Sequence, residues 1–367
     1  MSASDQQGRN GGFWAILPPL YLSWRILVAN RMPITDCDDV YNFWEPLHFL
    51  LFGFGMQSSE YAHEYALRTY AYLTPMKLVA QILGSLSFDT LSPVAAMLSD
   101  FPVHSHKVAV FLCLRAFLGA LTALTELHFV YSLRLRQHVG GDLALLTALL
   151  LLTQTGLSHA AAAYLPSSTW MAVYMLASGL FLQKKRKAFI VVAVIATLTT
   201  GRPFGAVMLV PMGVAILLED RKRFIETLAF TAFTTLLVQG ATMWIDLQKY
   251  GKWVSPTLNI FLYNAGAGGD ELYGVEPLSY YMKNLVLNLN LMAPLGMLGC
   301  TLVLLSRSFP AKVSVIVSPA ILWFAITFPR PHKEERFMFP VYPLLCLCAV
   351  LCFDIVVRGV LSTFQKE

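Results

Sequence analysis

Three aspartates within four positions have the clearest capacity for chemistry in this sequence. Asp36, Asp38 and Asp39 open a polar segment after the first apolar run, and Glu45 follows closely. Crowded carboxylates raise one another's pKa unless a cation or a reaction uses them. The cluster therefore predicts a general base, with a second carboxylate that orients an acceptor or binds a cation. A solvated acidic loop or a helix N-cap would use the same residues. The interleaved aromatic residues, Trp44 among them, favour a site facing carbohydrate or the membrane interface.

A second ionisable cluster lies near the end of the chain, in the loop 329–338. It contains in succession His332, Lys333, Glu334, Glu335 and Arg336. Ordinary solvation of a loop would explain such a run. Alternatively, its cationic members clamp a phosphate group, with the arginine binding two oxygens at once. The spacing is not that of a zinc motif, and His-Glu-x-x-His is absent from the sequence. We expect no metal and no cofactor.

Two isolated arginines are further candidates for substrate binding. Arg68 lies at helical spacing from Glu64 in a segment rich in tyrosine. That segment fits an interfacial helix with an aromatic belt as well as one wall of a lipid-phosphate or sugar site. Arg202 lies in the break Gly201–Gly205 between two apolar runs. A charge at membrane depth is costly unless it is paired or lines an aqueous cavity.

The composition indicates which kind of fold must position these residues. Of 367 residues, 56% are hydrophobic and 13% are charged, whereas a soluble domain carries about 25% charged residues. Apolar runs long enough to cross a bilayer recur along the chain. The formal net charge of +5 is small for this length, so nucleic-acid binding is not expected. The sequence predicts an all-α polytopic membrane protein of about 10–12 spans, with ten apolar runs at 13–30, 107–133, 142–157, 167–183, 189–200, 206–218, 226–245, 285–305, 313–328 and 339–357. The break at 201–205 fits two short spans or one long kinked helix.

The distribution of basic residues predicts the orientation of these spans. With a cytosolic N-terminus, every basic cluster falls on the cytosolic side, as the positive-inside rule requires. The stretch 70–98 must then lie along the interface as an amphipathic helix and not cross the membrane. The polar segments expected on the opposite side are 31–106, 158–166, 201–205, 246–284 and 329–338. The residues 358–367 are then a short cytosolic tail behind a membrane domain at 1–357.

Three motifs in these segments resemble one family of enzymes. They are Asp36-Cys37-Asp38-Asp39 with Asn42-Phe43-Trp44-Glu45-Pro46, Tyr273-Gly274-Val275-Glu276-Pro277, and His332-Lys333-Glu334-Glu335-Arg336-Phe337 with Phe339-Pro340-Val341-Tyr342-Pro343. The sequence resembles the dolichyl-phosphate-mannose-dependent mannosyltransferases of glycosyltransferase family 22. The first two motifs are similar to the α-1,2 branch, which acts in N-glycan precursor assembly. Family members continue beyond the last span, whereas this sequence ends at Glu367.

The resemblance implies a GT-C fold in the endoplasmic reticulum membrane, with a lumenal active site. It implies dolichyl-phosphate-mannose as the donor and a dolichyl-diphosphate-linked oligosaccharide as the acceptor. The family's base maps onto the aspartate cluster, and Asp38 is our choice. Inversion at the sugar needs one base, while the phosphate leaves without a general acid. The family motifs add Trp44, Glu45, Tyr273 and Glu276 to the substrate-binding candidates.

Three other functions remain open from the sequence. A mannosyltransferase acting on a glycosylphosphatidylinositol precursor would share most of the motifs. A lipid or solute transporter would carry ionisable residues near mid-membrane and two related halves. A catalytically inactive family member could serve as a partner subunit.

Overall fold

The polypeptide is helical throughout the part that the structure describes. A computed structural model describes residues 3–135, 138–219, 221–265, 274–306 and 308–364. No β-strand occurs in these ranges, and their α-helices are α1 Ala3–Ala29, α2 Glu45–Phe52, α3 Tyr70–Gly84, α4 Phe88–Leu98, α5 His106–Arg134, α6 Gly141–Thr153, α7 Thr155–Ala162, α8 Pro166–Leu182, α9 Arg186–Thr199, α10 Val210–Glu219, α11 Phe224–Tyr250, α12 Pro256–Ala265, α13 Leu278–Leu289, α14 Met292–Ser306, α15 Ala311–Val317, α16 Pro319–Thr327 and α17 Tyr342–Phe364. Short 3-10 segments precede α10 and α17, at Pro203–Leu209 and Glu335–Val341.

Within the described residues, four helical stretches are individually long and apolar enough to cross a membrane. They are Gly12–Ala29, His106–Arg134, Phe224–Tyr250 and Glu335–Phe364. Three bent pairs raise the number to seven if each pair is one span: α3 with α4 (118°), α6 with α7 (67°) and α13 with α14 (107°). The runs predicted at 142–157 and 285–305 are thus broken helices. Two shorter apolar helical stretches, Pro203–Glu219 and Ala311–Thr327, complete the set. The expected 10–12 spans stay a prediction.

The structure shows a break between two helices in each of two segments, 70–98 and 201–205. The stretch 70–98 forms two helices that meet at 118°, which fits a chain that does not cross straight through the bilayer. At 201–205, α9 ends at Thr199, and Gly201 adopts a left-handed φ of 62° before the 3-10 segment begins. This geometry is a break between two helices and not one kinked helix.

Close packing of α14 against α17 forms one part of the core. A Cβ on Gly296 would lie 2.4 Å from the Leu345 carbonyl oxygen, and one on Gly299 would lie 2.0 Å from that of Cys348. Small residues one turn apart let two helix backbones approach, a common device in membrane helices. The buried Cys348 and Cys352 therefore act as small packing residues at this contact.

An ion pair inside the bundle connects four helices. Arg25 of α1 donates from Nε and Nη2 to Glu126 of α5, at 2.9 and 2.6 Å. Nη1 donates to Ser158 Oγ, and Nη2 also donates to the Leu151 carbonyl beside the break between α6 and α7. Both charged side chains are at most 1% exposed. A buried charge pair of this kind is tolerable because each charge is compensated and hydrogen-bonded.

Candidate active site

A cleft of about 230 Å³ gathers polar side chains from segments that are distant in the sequence. The loop after α1, the loop before α3, the start of α8, the break after α9, α12 and the segment from α16 to α17 all contribute to its wall. Its acidic and basic lining residues are Asp38, Glu60, Arg68, Arg202, Arg330, His332, Glu334 and Arg336. Both ionisable clusters of the sequence therefore meet at one cleft.

Arg336 links the aspartate loop to the loop 329–338. Its Nη1 donates to Asp36 Oδ1 at 2.7 Å, and its Nη2 lies 2.7 Å from Asp38 Oδ2. The same Nη2 also pairs with Glu334. The Arg336 side chain is only 7% exposed, so these interactions are weakly screened by solvent. A planar guanidinium bridges two carboxylates through two separate nitrogens, an arrangement that the single nitrogen of a lysine cannot reproduce.

Asp38 stays ionised because three arginines surround it. Besides Arg336, Arg202 Nη2 lies 3.8 Å and Arg68 Nη2 lies 4.0 Å from Asp38 Oδ2. Burial raises the pKa of Asp38, but the three guanidinium groups lower it by more, with Arg336 first among them. The net pKa lies below that of a free aspartate. All three ion pairs run through Oδ2, which leaves Oδ1 as the oxygen best placed to accept a proton.

Arg68 lines the cleft and keeps one guanidinium nitrogen unsatisfied among the described residues. Its Nε pairs with Glu60, and its Nη2 faces Asp38. Its Nη1 is buried and has no hydrogen-bond partner among the described residues. The side chain is 5% exposed, so an unsatisfied nitrogen there is expensive unless a ligand accepts from it. An anionic ligand atom in the cleft would meet that need.

Arg202, the charged residue beside the helix break, lines a cavity, which is one of the two conditions that make such a charge tolerable. It lines the cleft, and its backbone carbonyl accepts a hydrogen bond of 2.9 Å from Trp170 Nε1. Burial, followed by repulsion from Arg336 and Arg68, lowers its pKa to about 10. Three guanidinium groups within one small site therefore favour the arrival of an additional negative charge.

Asp39 lies behind the cleft and not in its wall. It is 2% exposed, and its Oδ1 accepts a hydrogen bond of 3.0 Å from the Tyr164 backbone N–H. Burial raises its pKa to about 7, against the lowering effects of that hydrogen bond and of Arg115. The structure therefore separates the adjacent carboxylates into an ionised Asp38 at the cleft and a buried Asp39 that supports the loop.

The four other residues of the run 332–335 point in different directions. His332 lines the cleft, where its Nε2 lies 3.0 Å from Glu334 Oε1 and its Nδ1 lies 3.2 Å from the Gly274 carbonyl. Lys333 is buried and donates to the Arg330 carbonyl. Glu335 accepts a hydrogen bond of 2.9 Å from Asn288. Lys333 and Glu335 thus hold the loop and are not part of the cleft wall.

The remaining sequence candidates lie apart from the cleft or outside the described residues. Trp44 is buried against Phe111 and Tyr164, with ring centroids 4.8 and 5.2 Å away. Glu45 Oε2 accepts a weak hydrogen bond from the backbone of the nearby loop at 3.4 Å. Glu276 is exposed, and its backbone N–H donates to the Pro331 carbonyl. Tyr273 lies outside the described residues.

One group in the described part of the chain has the donor atoms of a cation site. Asp36, Cys37 and Asp38 place two carboxylate oxygens and a thiol sulfur within 4.8 Å of one another. Both carboxylates already pair with Arg336. A metal ion there would have to compete with a fixed guanidinium, so we assign the two carboxylates to the arginine.

Sequence reasoning missed the helix end that holds Arg68 in place. Asp246 of α11 is fully buried and accepts hydrogen bonds from Thr69 Oγ1 at 2.8 Å and from the Tyr70 N–H at 2.7 Å. One turn later, Tyr250 donates to the Arg68 carbonyl at 2.6 Å. An aspartate within an apolar helix is itself a signal, because such a charge is rarely placed there without a partner.

The fold is that of a known class of membrane glycosyltransferase. The structure of ArnT from Cupriavidus metallidurans superimposes with a TM-score of 0.65 at 14% identity, covering 94% of this chain and 60% of ArnT. Similarity at this identity is evidence for the fold alone, and it confirms the predicted GT-C architecture. The molecule is thus a helical, membrane-embedded protein with a glycosyltransferase fold.

The chain belongs to the Alg9-like mannosyltransferase family, whose sequence model matches residues 17–365. It is 32% identical to the alpha-1,2-mannosyltransferase ALG9 of Arabidopsis thaliana over 376 residues, covering 100% of this chain and 61% of that relative. It is 33% identical to ALG9 of Homo sapiens over 360 residues, covering 94% of this chain and 55% of the relative. The predicted family is therefore confirmed, and the chain spans between half and two thirds of the length of these relatives.

Proposed function

We propose that this protein is an α-1,2-mannosyltransferase that transfers mannose from dolichyl-phosphate-mannose to a dolichyl-diphosphate-linked oligosaccharide. One observation carries the proposal: Asp38, whose carboxylate is ionised, and Arg68, which keeps one unsatisfied nitrogen, line the same cleft. A base and a phosphate-binding group must lie together for an inverting transfer from a phosphate-linked sugar. The names of the ALG9 relatives support the α-1,2 linkage.

In this reaction Asp38 accepts the proton of the acceptor hydroxyl. The hydroxyl oxygen forms its bond to C1 of mannose while the bond between C1 and the phosphate oxygen breaks. The electron pair of the broken bond goes to the phosphate, and the proton goes to Asp38 Oδ1. A carboxylate with a lowered pKa is a weak base, so proton transfer accompanies the formation of the new bond and does not precede it.

The arginines of the cleft bind the donor phosphate in this proposal. Four arginines line the cleft with three carboxylates, and Asp36 adds a fourth carboxylate through its pair with Arg336. Arg68, which keeps one nitrogen unsatisfied, and Arg202 are the groups proposed to bind the single charge of a phosphodiester. As the sugar leaves, the phosphate gains a second negative charge. Arg68 and Arg202 then stabilise the transition state more than the bound donor.

The cellular setting follows from the family and from the charge distribution. We place the protein in the endoplasmic reticulum membrane, with 31–106, 246–284 and 329–338 on the lumenal side and 358–367 in the cytosol. The membrane domain at 1–357 then presents its cleft to the lumen. The lipid-linked donor reaches the cleft from the bilayer, a route supported by the fold neighbour ArnT, whose structure holds undecaprenyl phosphate.

The test is transfer by the purified full chain in proteoliposomes. The reaction contains dolichyl-phosphate-mannose and a synthetic lipid-linked oligosaccharide, and digestion with a linkage-specific α-mannosidase identifies the product. Asp38→Asn should lower kcat by about 10²–10⁴-fold, because the variant lacks a general base. Arg68→Gln should mainly lower kcat and raise KM for the donor less, because Arg68 stabilises the transition state more than the bound donor.

Asp36→Asn is the matched control for the base. Asp36 shares Arg336 with Asp38 and is similarly exposed, at 25% against 23%, but it is not part of the cleft wall. The logarithm of its fold-loss in kcat should be less than a tenth of that of Asp38→Asn. Equal losses in the two variants would remove Asp38 from the role of base, and absence of transfer by the intact chain would refute the enzymatic proposal.

A further inference from the structure

A second pocket lies at the opposite end of α8 from the candidate active site. It has a volume of about 310 Å³ and is lined by Phe181, Lys184, Arg186, Ile216, Glu219 and Arg223. We call these six residues the basic pocket. Pro166 at the start of α8 lines the active-site cleft. Fifteen residues of helix separate it from Phe181, a rise of about 22 Å. The two sites therefore lie at opposite ends of α8, and they would face opposite sides of the bilayer if α8 crosses it, as the run 167–183 predicts.

The charges of the basic pocket are unbalanced. Three basic side chains line it with one carboxylate, and Lys184 Nζ lies 3.4 Å from Glu219 Oε1. A fourth cation, Lys312, approaches the same carboxylate at 4.0 Å and lies over the Phe181 ring at 5.3 Å. Basic side chains outnumber the one carboxylate among the described residues of this lining, so the lining favours a ligand with a negative charge.

The backbone at Lys184 is strained in a way that forms this pocket. Lys184 has a left-handed φ of 61°, a conformation that side chains other than glycine adopt at a cost in energy. Its N–H donates to the Phe181 carbonyl, and the Lys185 N–H donates to Leu180. This is a Schellman motif, whose left-handed position is most often glycine. The reversal brings Lys184 and Arg186 over the same cavity, and strain of this kind persists mostly at functional positions.

Partners from another helix orient the pocket's floor and its arginine. Arg186 Nη1 donates to Thr227 Oγ1 of α11 at 3.1 Å. Phe181 and Ile216 are both less than 10% exposed and close the pocket with an apolar surface. The pocket thus combines an apolar base with a charged rim, as expected for a molecule that has both an apolar and an anionic part.

Exposed apolar side chains continue outward from the rim. Leu218, one residue before Glu219, is 66% exposed, and Ile225, two residues after Arg223, is 78% exposed. These side chains would lie against acyl chains if the phosphate group of a lipid occupied the pocket. A free phosphate ion would gain nothing from them, so the surroundings favour a lipid.

We propose that the basic pocket binds the phosphate head group of an anionic phospholipid of the cytosolic leaflet. Basic pockets between membrane helices on that side are a recognised type of site for such head groups. The proposal depends on the orientation of the spans and not on the transferase activity. It assigns Lys184, Arg186 and Arg223 to the head group, and Leu218 and Ile225 to the acyl chains.

The experiment compares the full chain in nanodiscs of phosphatidylcholine alone and of phosphatidylcholine with a minority of phosphatidylinositol. Native mass spectrometry counts the retained phosphatidylinositol, and thermal unfolding gives the Tm. The Lys184→Gln/Arg186→Gln/Arg223→Gln variant should bind the lipid more than about tenfold more weakly, because each cation contributes separately to such binding. The control Lys185→Gln/Lys187→Gln/Lys222→Gln removes three neighbouring charges outside the pocket and should bind as the unaltered chain does.

Equal losses in the two triple variants would indicate a general surface charge and would overturn the proposal. Unchanged binding by the pocket variant would do the same. A separate arm adds inorganic phosphate or glycerophosphoinositol to discs of phosphatidylcholine alone. Stabilisation as large as that given by phosphatidylinositol would overturn the lipid as the occupant.

Lys184→Gly keeps the test independent of folding defects. Glycine relieves the left-handed strain, so the variant should have a Tm equal to or above that of the unaltered chain in phosphatidylcholine discs. It also removes one cation, so phosphatidylinositol should raise its Tm by less. A full stabilisation of Lys184→Gly by phosphatidylinositol would contradict the role assigned to this lysine.

Discussion

Replacement of Arg336 by methionine tests the centre of the site most directly. The substitution keeps much of the side-chain volume but removes the guanidinium that Asp36, Asp38 and Glu334 share. The arginine is 7% exposed, and the three carboxylates are 23–28% exposed. Breaking a buried ion pair by removing one partner costs about 3–5 kcal/mol. Because the carboxylates keep some hydration, we expect the substitution to lower the free energy of unfolding by about 3 kcal/mol.

The same substitution should change the pH dependence of the reaction. Arg336 is the strongest of the groups that lower the pKa of Asp38. A lowered carboxylate pKa contributes stability at pH values above the unfolded pKa, and this contribution is lost as the pH falls through the folded pKa. Without Arg336, the folded pKa of Asp38 rises, so protonation sets in closer to neutral pH. The acid limb of the rate profile should move upward in pH.

Thermal unfolding in detergent and the pH profile of mannosyl transfer measure these two effects. A loss of about 3 kcal/mol corresponds to a Tm lower by roughly 5–10 °C for a chain of this size. The Tm of Arg336→Lys should fall between those of Arg336→Met and the unaltered chain, since a lysine keeps the charge but has one donor nitrogen in place of the guanidinium fork. Asp36→Asn combined with Arg336→Met should recover part of the lost Tm, because it removes one unpaired charge.

Arg358→Met is the control, because Arg358 pairs with Asp354 on an exposed helix surface and is itself 65% exposed. Such pairs contribute about 0.3–0.5 kcal/mol. If Arg336→Met unfolds at the same temperature as this control, the bridging role is refuted. If the acid limb does not move, the electrostatic account of Asp38 is refuted.

Three further predictions follow from other parts of the molecule. Arg25→Met should lower the Tm strongly, and adding Glu126→Leu should restore part of the lost Tm, since the double variant leaves no unpaired buried charge. Thermal unfolding of both variants measures these changes. A further, additive loss of Tm in the double variant would contradict the prediction. The Asp39 carboxyl, with a pKa raised to about 7, should make the unaltered chain less stable as pH rises from about 4 to 7, because in this range the unfolded state binds fewer protons than the folded state. Asp39→Asn should remove that part of the slope of Tm against pH. An unchanged slope would count against the prediction. Gly205→Ala should disrupt the cleft wall and lower the Tm, because the new Cβ would lie 2.2 Å from the indole ring of Trp170. In the control Gly213→Ala the new Cβ meets nothing within 4 Å, so this variant should be neutral or slightly stabilised. Equal Tm values for the two variants would refute the clash.

The site could be anticipated in part from the chain, and the limits have physical causes. The aspartate cluster and the run 332–336 stood out because crowded charges are costly and so need a purpose. Their direct contact was not predictable, since Arg336 and Asp36 are 300 residues apart. From the sequence, Lys333 and Glu335 were candidates for substrate binding just as Arg336 was. Only the local backbone decides which of three neighbouring side chains faces the cleft.

The sequence by itself determined the membrane class, the family and the helical segments, because hydropathy and local motifs are properties of short stretches of chain. Tertiary structure alone decided where helices bend, which carboxylate stays ionised, and how Asp246 holds the loop that carries Arg68. These features depend on what lies next to each residue in space. Burial and electrostatic neighbours are set by the packing of distant helices, so the pKa of Asp38 is lowered and that of Asp39 is raised although the two residues are adjacent in the chain.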